Sequence, residues 1–514
     1  MPFRSNSYKQ LKYGKLSFSI IAGLLIITMM SAFMLSIVLE REDGTKWLMM
    51  IVGGLSIAIL LFLIEDRKTF LMGFIAFSTM ISLDIGLRGR PTGFHGTSTL
   101  TLNLTHILMA LMYVLWAIEA VREKTGKIHI KFIPLISLAL FIGWSGLSAT
   151  KTTPDMQGVE INKMVPYVLS FFLFFYLVNN IRKFKHFRAI LIGLSLGLLL
   201  HSAQGLVQAA TGRLITIPLI TAGTATKHST GAERVLKGAT TGGEVRIEGG
   251  AKHPNALARK LSLFIPVLLL VALFYKREPL LRLFFAGTAF LALISVLLSL
   301  SRSGWGALYI AMAYGAILLA YKYKVLAKVV FAAIFIHLIV AVPILTTDNA
   351  ISRRIAETGV SFEEQRGSAY SRIYHFQAAY NYISNNPVLG VGLGMYAREL
   401  DKYDNTPLQM AYHGKVSVHN TFLFFAGESG LPALILILTF FGSVFYYGHK
   451  LANHPSLLAQ MIGVGLNMGL LSTYIALTYT AYPLEYLTSI WVPLAAICAI
   501  YLNPHLFRGN SFDD

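Results

Sequence analysis

The sequence predicts an all-α polytopic membrane protein: a helical bundle of about fourteen spans, one membrane domain over residues 1–514, with two long loops on one face. Hydrophobic residues make up 55% of the 514 and charged residues only 13%, too little polar surface to cover a soluble globule of this size. The apolar runs are about 17–25 residues long, which matches a hydrocarbon core of roughly 30 Å at about 1.5 Å rise per residue. The Lys and Arg that give the net charge of +19 fall mostly in short loops between those runs. In a soluble domain such a charge points to nucleic acid; here it reads as topology, with no nucleic-acid partner. The single cysteine, Cys498, excludes an internal disulfide.

The spans are expected near 17–38, 47–64, 69–87, 99–121, 132–149, 164–180, 188–210, 256–275, 282–300, 305–321, 325–345, 419–447, 456–480 and 486–503. The first has a basic flank (Arg4, Lys9, Lys12, Lys15) and an apolar core too long for most cleaved signal peptides, so it is expected to stay as a span. With the N-terminus cytoplasmic, alternate short loops carry Arg67/Lys68, Arg122/Lys124/Lys127/Lys131, Arg182/Lys183/Lys185/Arg188, Lys276/Arg277/Arg282 and Lys322/Lys324/Lys328. The opposite short loops are poor in Lys and Arg, which orients both termini to the cytoplasm. The long loops, 211–253 and 346–418, then lie outside the cytoplasm. The first is rich in Gly and Thr, and the second carries an expected amphipathic helix at 371–383, ended by Asn385-Asn386-Pro387 and a Gly-Val-Gly-Leu-Gly run.

Three basic residues converge on that face. Arg246 lies among Gly242, Gly243, Gly249 and Gly250, where backbone can approach a ligand closely. Arg302 lies in Ser299 to Leu308, at a turn with almost no loop, flanked by Ser301, Ser303, Gly304 and Gly306. An arginine at a span end ordinarily snorkels to the surface; one pinned in so short a turn instead offers a fixed fork for phosphate oxygens. Two such arginines suit a pyrophosphate, as ligand and as leaving group. His419, at the opening of a span, has the pKa range of a general base, although capping or interfacial packing would also explain a histidine there. Glu428, nine residues on and inside the span, can pair with a base or with a neighbouring helix. Asp84, His106, Glu119, His201 and His337 carry the same flag at lower weight, and Trp305, Tyr370, Tyr374 and Tyr396 sit where a sugar could stack. No His/Asp/Glu spacing suggests a metal site, and neither metal nor cofactor is expected.

Four short elements in order resemble the O-antigen ligase and polymerase superfamily of bacterial envelope glycan enzymes. They are Arg246-x-x-Gly249 with Asn255-Ala256, Ser301 to Trp305, Ser371-Arg372 with Pro387, Gly390 and Gly392, and His419-Asn420 followed by Gly430. The family-like catalytic region spans 246–503. The resemblance implies a metal-independent glycosyltransferase of the bacterial inner (plasma) membrane, acting on the extracytoplasmic face. Its donor would be an undecaprenyl-pyrophosphate-linked glycan, and its acceptor a glycan, lipid-core or protein hydroxyl. Carried over, Arg246 and Arg302 would bind the donor pyrophosphate and His419 would activate the acceptor hydroxyl. Arg372, Asn255, Asn420 and Glu428 would support substrate contacts. The ligases typically place a small or hydroxylated residue after the glycine; Gly430-Leu431-Pro432 departs from that and favours polymerase over ligase. The rival from another class is a lipid-glycan flippase or transporter, against which the lack of a visible repeat counts.

Overall fold

The computed structural model describes residues 64, 66–81, 84–88, 100–122, 128–152, 159–212, 246–251, 253–275, 277–323, 352, 367–405, 418–480 and 488–507. The expected spans at 17–38 and 325–345, nearly all of that at 47–64, His337, most of the first long loop and part of the second lie outside the described residues. From Lys68 onward the chain forms one compact unit.

Among the described residues nine helices are long and apolar enough to cross a membrane. The elements are α1 (Arg67–Ser78), β1 (Asp84–Arg88), β2 (Leu100–Asn103), α2 (Leu104–Arg122), α3 (Ile133–Ser148), α4 (Val159–Asn180), α5 (Phe184–Thr211), α6 (Pro254–Ser262), α7 (Ile265–Phe274), α8 (Pro279–Leu298), α9 (Arg302–Lys322), α10 (Gly367–Asn385), α11 (Thr421–Leu451), α12 (Leu457–Leu477) and α13 (Trp491–Leu502). The bundle is all-α apart from one short ribbon, in which β1 pairs antiparallel with β2 and Asp84 faces Asn103. That corrects the span expected at 69–87. Its helix ends at Ser78, and the charged Asp84 and Arg88 bound a stretch that pairs as a strand instead.

The core sits around α12, which packs on α7, α9 and α11, and α13, which packs on α4 and α11. Of the spans, α12 is the most enclosed, with 83% of its apolar window buried. Its Gly469 lies where a Cβ would stand 1.8 Å from the Leu263 carbonyl oxygen, so two backbones touch with no side chain between them. Leu263 is also where the expected span 256–275 breaks into α6 and α7. Pro266 has no N–H to continue the ladder, and its ring would clash with the carbonyl four residues earlier.

The second break lies inside α11. Gly430 adopts φ 82 and ψ 175, with Pro432 two residues on. The backbone groups this frees are taken up by the segment after α10: Val391 N donates to the Gly427 carbonyl (2.9 Å), Gly392 N to Glu428 (3.0 Å) and Leu431 N to Pro387 (2.7 Å). From α3, Ser148 Oγ donates to the Glu428 carbonyl at 2.8 Å, and Trp144 Nε1 lies between the carbonyls of Ser429 and Val388 at 3.1 and 3.2 Å. A Cβ on Gly430 would meet the Val388 carbonyl oxygen at 2.0 Å, and one on Gly390 (φ 65) would meet Glu428 backbone at 2.3 Å. Both glycines are therefore required by sterics and by their left-handed backbone.

Gly430→Ala should cost about 2 kcal/mol or more, as a left-handed residue driven into backbone. Gly442→Ala, on the same helix with nothing near its Cβ, should be neutral or stabilising by up to about 1 kcal/mol. Thermal unfolding of the detergent-solubilised variants compares the two.

Candidate functional site

The site forms where α5 ends, α6, α9 and α11 begin and α8 ends. Arg246 is fixed by two acceptors: its Nε donates to the Ser299 carbonyl at 3.1 Å and its Nη2 to Asn255 Oδ1 at 3.2 Å. Ser299 belongs to the turn that delivers Arg302, so the structure brings both arginines to one turn. Within it Leu300 takes a positive φ of 49, uncommon for a branched residue. Ser301 then caps α9, its hydroxyl accepting from Gly304 N at 3.3 Å, and Arg302 is the first residue of the helix. Trp305 Nε1 donates back to the Val296 carbonyl at 2.9 Å, which ties the turn to α8.

The Arg246 segment is itself held from α5. Gln208, fully buried, accepts from Glu248 N and Gly249 N at 3.1 and 2.9 Å, and donates to the Gly249 carbonyl at 3.1 Å. His201 accepts from Gly250 N through Nδ1 at 3.2 Å, so Nε2 carries the proton and donates to the Met80 carbonyl at 2.6 Å. Lys260 donates to that same carbonyl at 3.0 Å. His253 caps α6, its Nδ1 accepting from Asn255 N at 3.1 Å.

His419 stands before α11, which Asn420 caps by accepting from Phe422 N and Leu423 N at 2.9 and 3.0 Å. Its ring meets that of His375, from α10, edge to face with centroids 5.7 Å apart. Arg372 lies one turn before His375, and its Nε is buried with no hydrogen-bond partner among the described residues. Desolvation first, and then the charges of Arg372, His375 and His253 in that order, together push the His419 imidazole down to about 4. Burial likewise lowers His375 and His253; Asp404 opposes the shift at the first, and Arg246 adds to it at the second. These mutual effects link the Arg246 side of the site to the His419 side. At neutral pH His419 is an uncharged imidazole among cations.

Glu428 points the other way, into the break of α11. One carboxylate oxygen accepts from Lys163 Nζ at 2.9 Å and from Gly394 N at 3.1 Å. Tyr396, expected where a sugar could stack, is 1% exposed and packed between Tyr382 and Phe424 at 4.5 and 5.3 Å. That corrects the expectation: its faces are already covered. Of the lesser flags, Glu119 pairs with Lys68 at 2.7 Å, and His106 and Asn103 cap each other. Among the described residues no three of His, Cys, Asp and Glu gather as metal ligands would.

The sequence reading missed His253, His375, Gln208 and Lys163. Lys163 carried a readable signal, a lone cation in an apolar span with a lone acid, Glu428, in another. Gln208 and His375 carried none, since their contacts are with chain segments far away in sequence; His253, before Pro254, stood at a helix start where a cap is needed.

Residues 287–438 match the O-antigen ligase family model. Over them the chain is similar to O-antigen ligases, which bears out the resemblance for that stretch and supports a membrane glycan-processing enzyme of the ligase or polymerase type. Arg302, Arg372, His419, Asn420 and Glu428 lie inside the match; Arg246, His253 and Asn255 lie before it. No curated relative matches the chain.

The lowered histidines set a sign for stability. Their folded-state pKa lies below the unfolded value, so the unfolded chain binds more protons as pH falls. The stabilisation is fully present above about pH 6.5 and is lost as pH falls toward 4 through the window set by His419. Melting of the solubilised protein should drop by a few degrees across that window, and His419→Gln should flatten part of the drop.

Proposed function

We propose that the protein transfers a glycan from a polyprenyl-diphosphate carrier to a hydroxyl at this site, without a metal, on the extracytoplasmic face. The observation that carries the reading is an uncharged imidazole at His419 set beside the under-partnered guanidinium of Arg372, across from two arginines at one turn. His419 takes the proton of the acceptor hydroxyl as its oxygen attacks the anomeric carbon. The bond from that carbon to the diphosphate oxygen breaks, and the carrier diphosphate leaves with its charge met by Arg246 and Arg302. His419 then returns the proton to solvent. Asn255 orients Arg246, Asn420 sets the head of α11, and Arg372 faces the transferring sugar and its phosphate.

The orientation is supported by charge. The opposite ends of these helices carry Arg182, Lys183, Arg277, Arg282, Lys322 and Lys450, so the positive-inside rule puts the site outside the cytoplasm. Undecaprenyl pyrophosphate is the proposed carrier. Polymerase, with a second lipid-linked repeat as acceptor, is favoured over a ligase on Leu431-Pro432 after Gly430.

Reconstitution with a polyprenyl-diphosphate oligosaccharide, with and without a lipid-core acceptor, followed by mass spectrometry, tests the assignment. Longer carrier-linked glycans identify a polymerase and glycosylated core a ligase; intact donor in every condition points to transport. EDTA should leave turnover unchanged, and His419→Ala should abolish product without preventing insertion.

Arg302→Lys should lose nearly as much activity as Arg302→Ala, about 100-fold, since an ammonium cannot make the two-point contact. Wild-type turnover in the lysine variant would reduce Arg302 to a membrane anchor.

A further inference from the structure

The two halves of the histidine site stand on separate arms. One is α10, bearing Arg372 and His375; the other is the first part of α11, headed by His419. Both descend to the same place, α10 into the glycine-rich segment 387–394 and α11 into its break at 427–431, and there the two backbones pair. The relative placement of His375 and His419 is therefore set at that joint.

From the described part of the N-terminal half, α3 and α4 reach the joint. Lys151 Nζ donates to the Gly390 carbonyl at 3.0 Å, beside the Ser148 and Trp144 contacts already described. Lys163 of α4 does more. The residue is 5% exposed, and its ammonium pairs with Glu428 at 2.9 Å and lies 4.9 Å over the Phe424 ring of the α11 arm. The oxygen that Lys163 holds also accepts Gly394 N from the other segment. One carboxylate thus links α4, α10's trailing segment and α11. We infer that Lys163, outside the family-matched region, is a positioning residue: its buried pair with Glu428 clamps the joint and so sets His419 against Arg372 and His375.

This rests on the catalytic reading above, and its test has one readout that does not. Amide hydrogen exchange of the full-length protein in nanodiscs reports on Val391, Gly392 and Gly394. These should exchange at least about tenfold faster in Lys163→Met, because removing one partner leaves a buried charge uncompensated, and should be near wild type in Lys163→Arg.

The second readout is the pH profile of glycan transfer. His419 is faced by Arg372, His375 and His253, so splaying the arms admits water to the ring and weakens those fields, relieving both the burial and the charge that hold its pKa near 4. In Lys163→Met the acid limb of kcat/KM should move up toward pH 6.5, with kcat about tenfold lower and KM changed less. A variant that merely folds less well would lose amplitude without moving the limb. Glu428→Gln, which keeps an acceptor for Gly394, gives the same shift by an independent route.

Unchanged exchange in Lys163→Met would overturn the clamp, and faster exchange with a wild-type profile would overturn its link to His419. If the wild type transfers nothing from any donor, the catalytic reading fails and amide exchange alone decides the clamp.

Discussion

A helix broken inside a membrane exposes carbonyls that water cannot reach, and the site depends on how those of α11 are satisfied. Each orphaned backbone group in such a place costs several kcal/mol. Here the loop after α10 answers with its own N–H groups, and α3 adds a hydroxyl and an indole. The segment after α10 is thereby fastened to the bundle by backbone, which fixes geometry more tightly than surface ion pairs do. Glycine at 390 and 430 follows from the closeness of that pairing.

Around the joint, charge is arranged with economy. The acid, Glu428, is turned inward to a lysine, whereas Arg246 and Arg302 meet at one turn and Arg372 lies beside His419. In the proposed reaction these cations would face the diphosphate. Burial first, and the neighbouring charges second, keep the His419 imidazole uncharged at neutral pH. Burial and the Arg372 charge act on His419 in the same direction, both disfavouring its protonated form.

Much of this was legible in the chain. The spans of α2 through α5, α8, α9, α11 and α12 followed from run length, and Arg302 stood out because its turn leaves no room to snorkel. The span at 69–87 misled because Ile81, Ile85 and Leu87 continue an apolar count across Asp84 and Arg88. The breaks at Pro266 and Gly430 were visible as residues, but not as breaks. Proline within an apolar run is tolerated whenever tertiary partners take up the freed carbonyls, and those partners lie elsewhere in sequence. Lys163 and Glu428 are 265 residues apart; nothing local connects them. Of the candidate residues, those the sequence singled out announce themselves through immediate neighbours, and Gln208, His375 and Lys163 act through distant ones.

The family-matched stretch begins within α8, yet the site draws on α4, on α5 and on the turn at 246–255. Its boundaries in sequence are therefore not its boundaries in space. A hybrid made by grafting residues 287–438 onto another bundle would carry Arg302, Arg372 and His419. It would leave behind Arg246 with its acceptor Asn255, and the lysine beneath Glu428. Exchange of glycan specificity between such enzymes, by recombination in nature or by design, has to move the scaffold that grips the loop together with the loop.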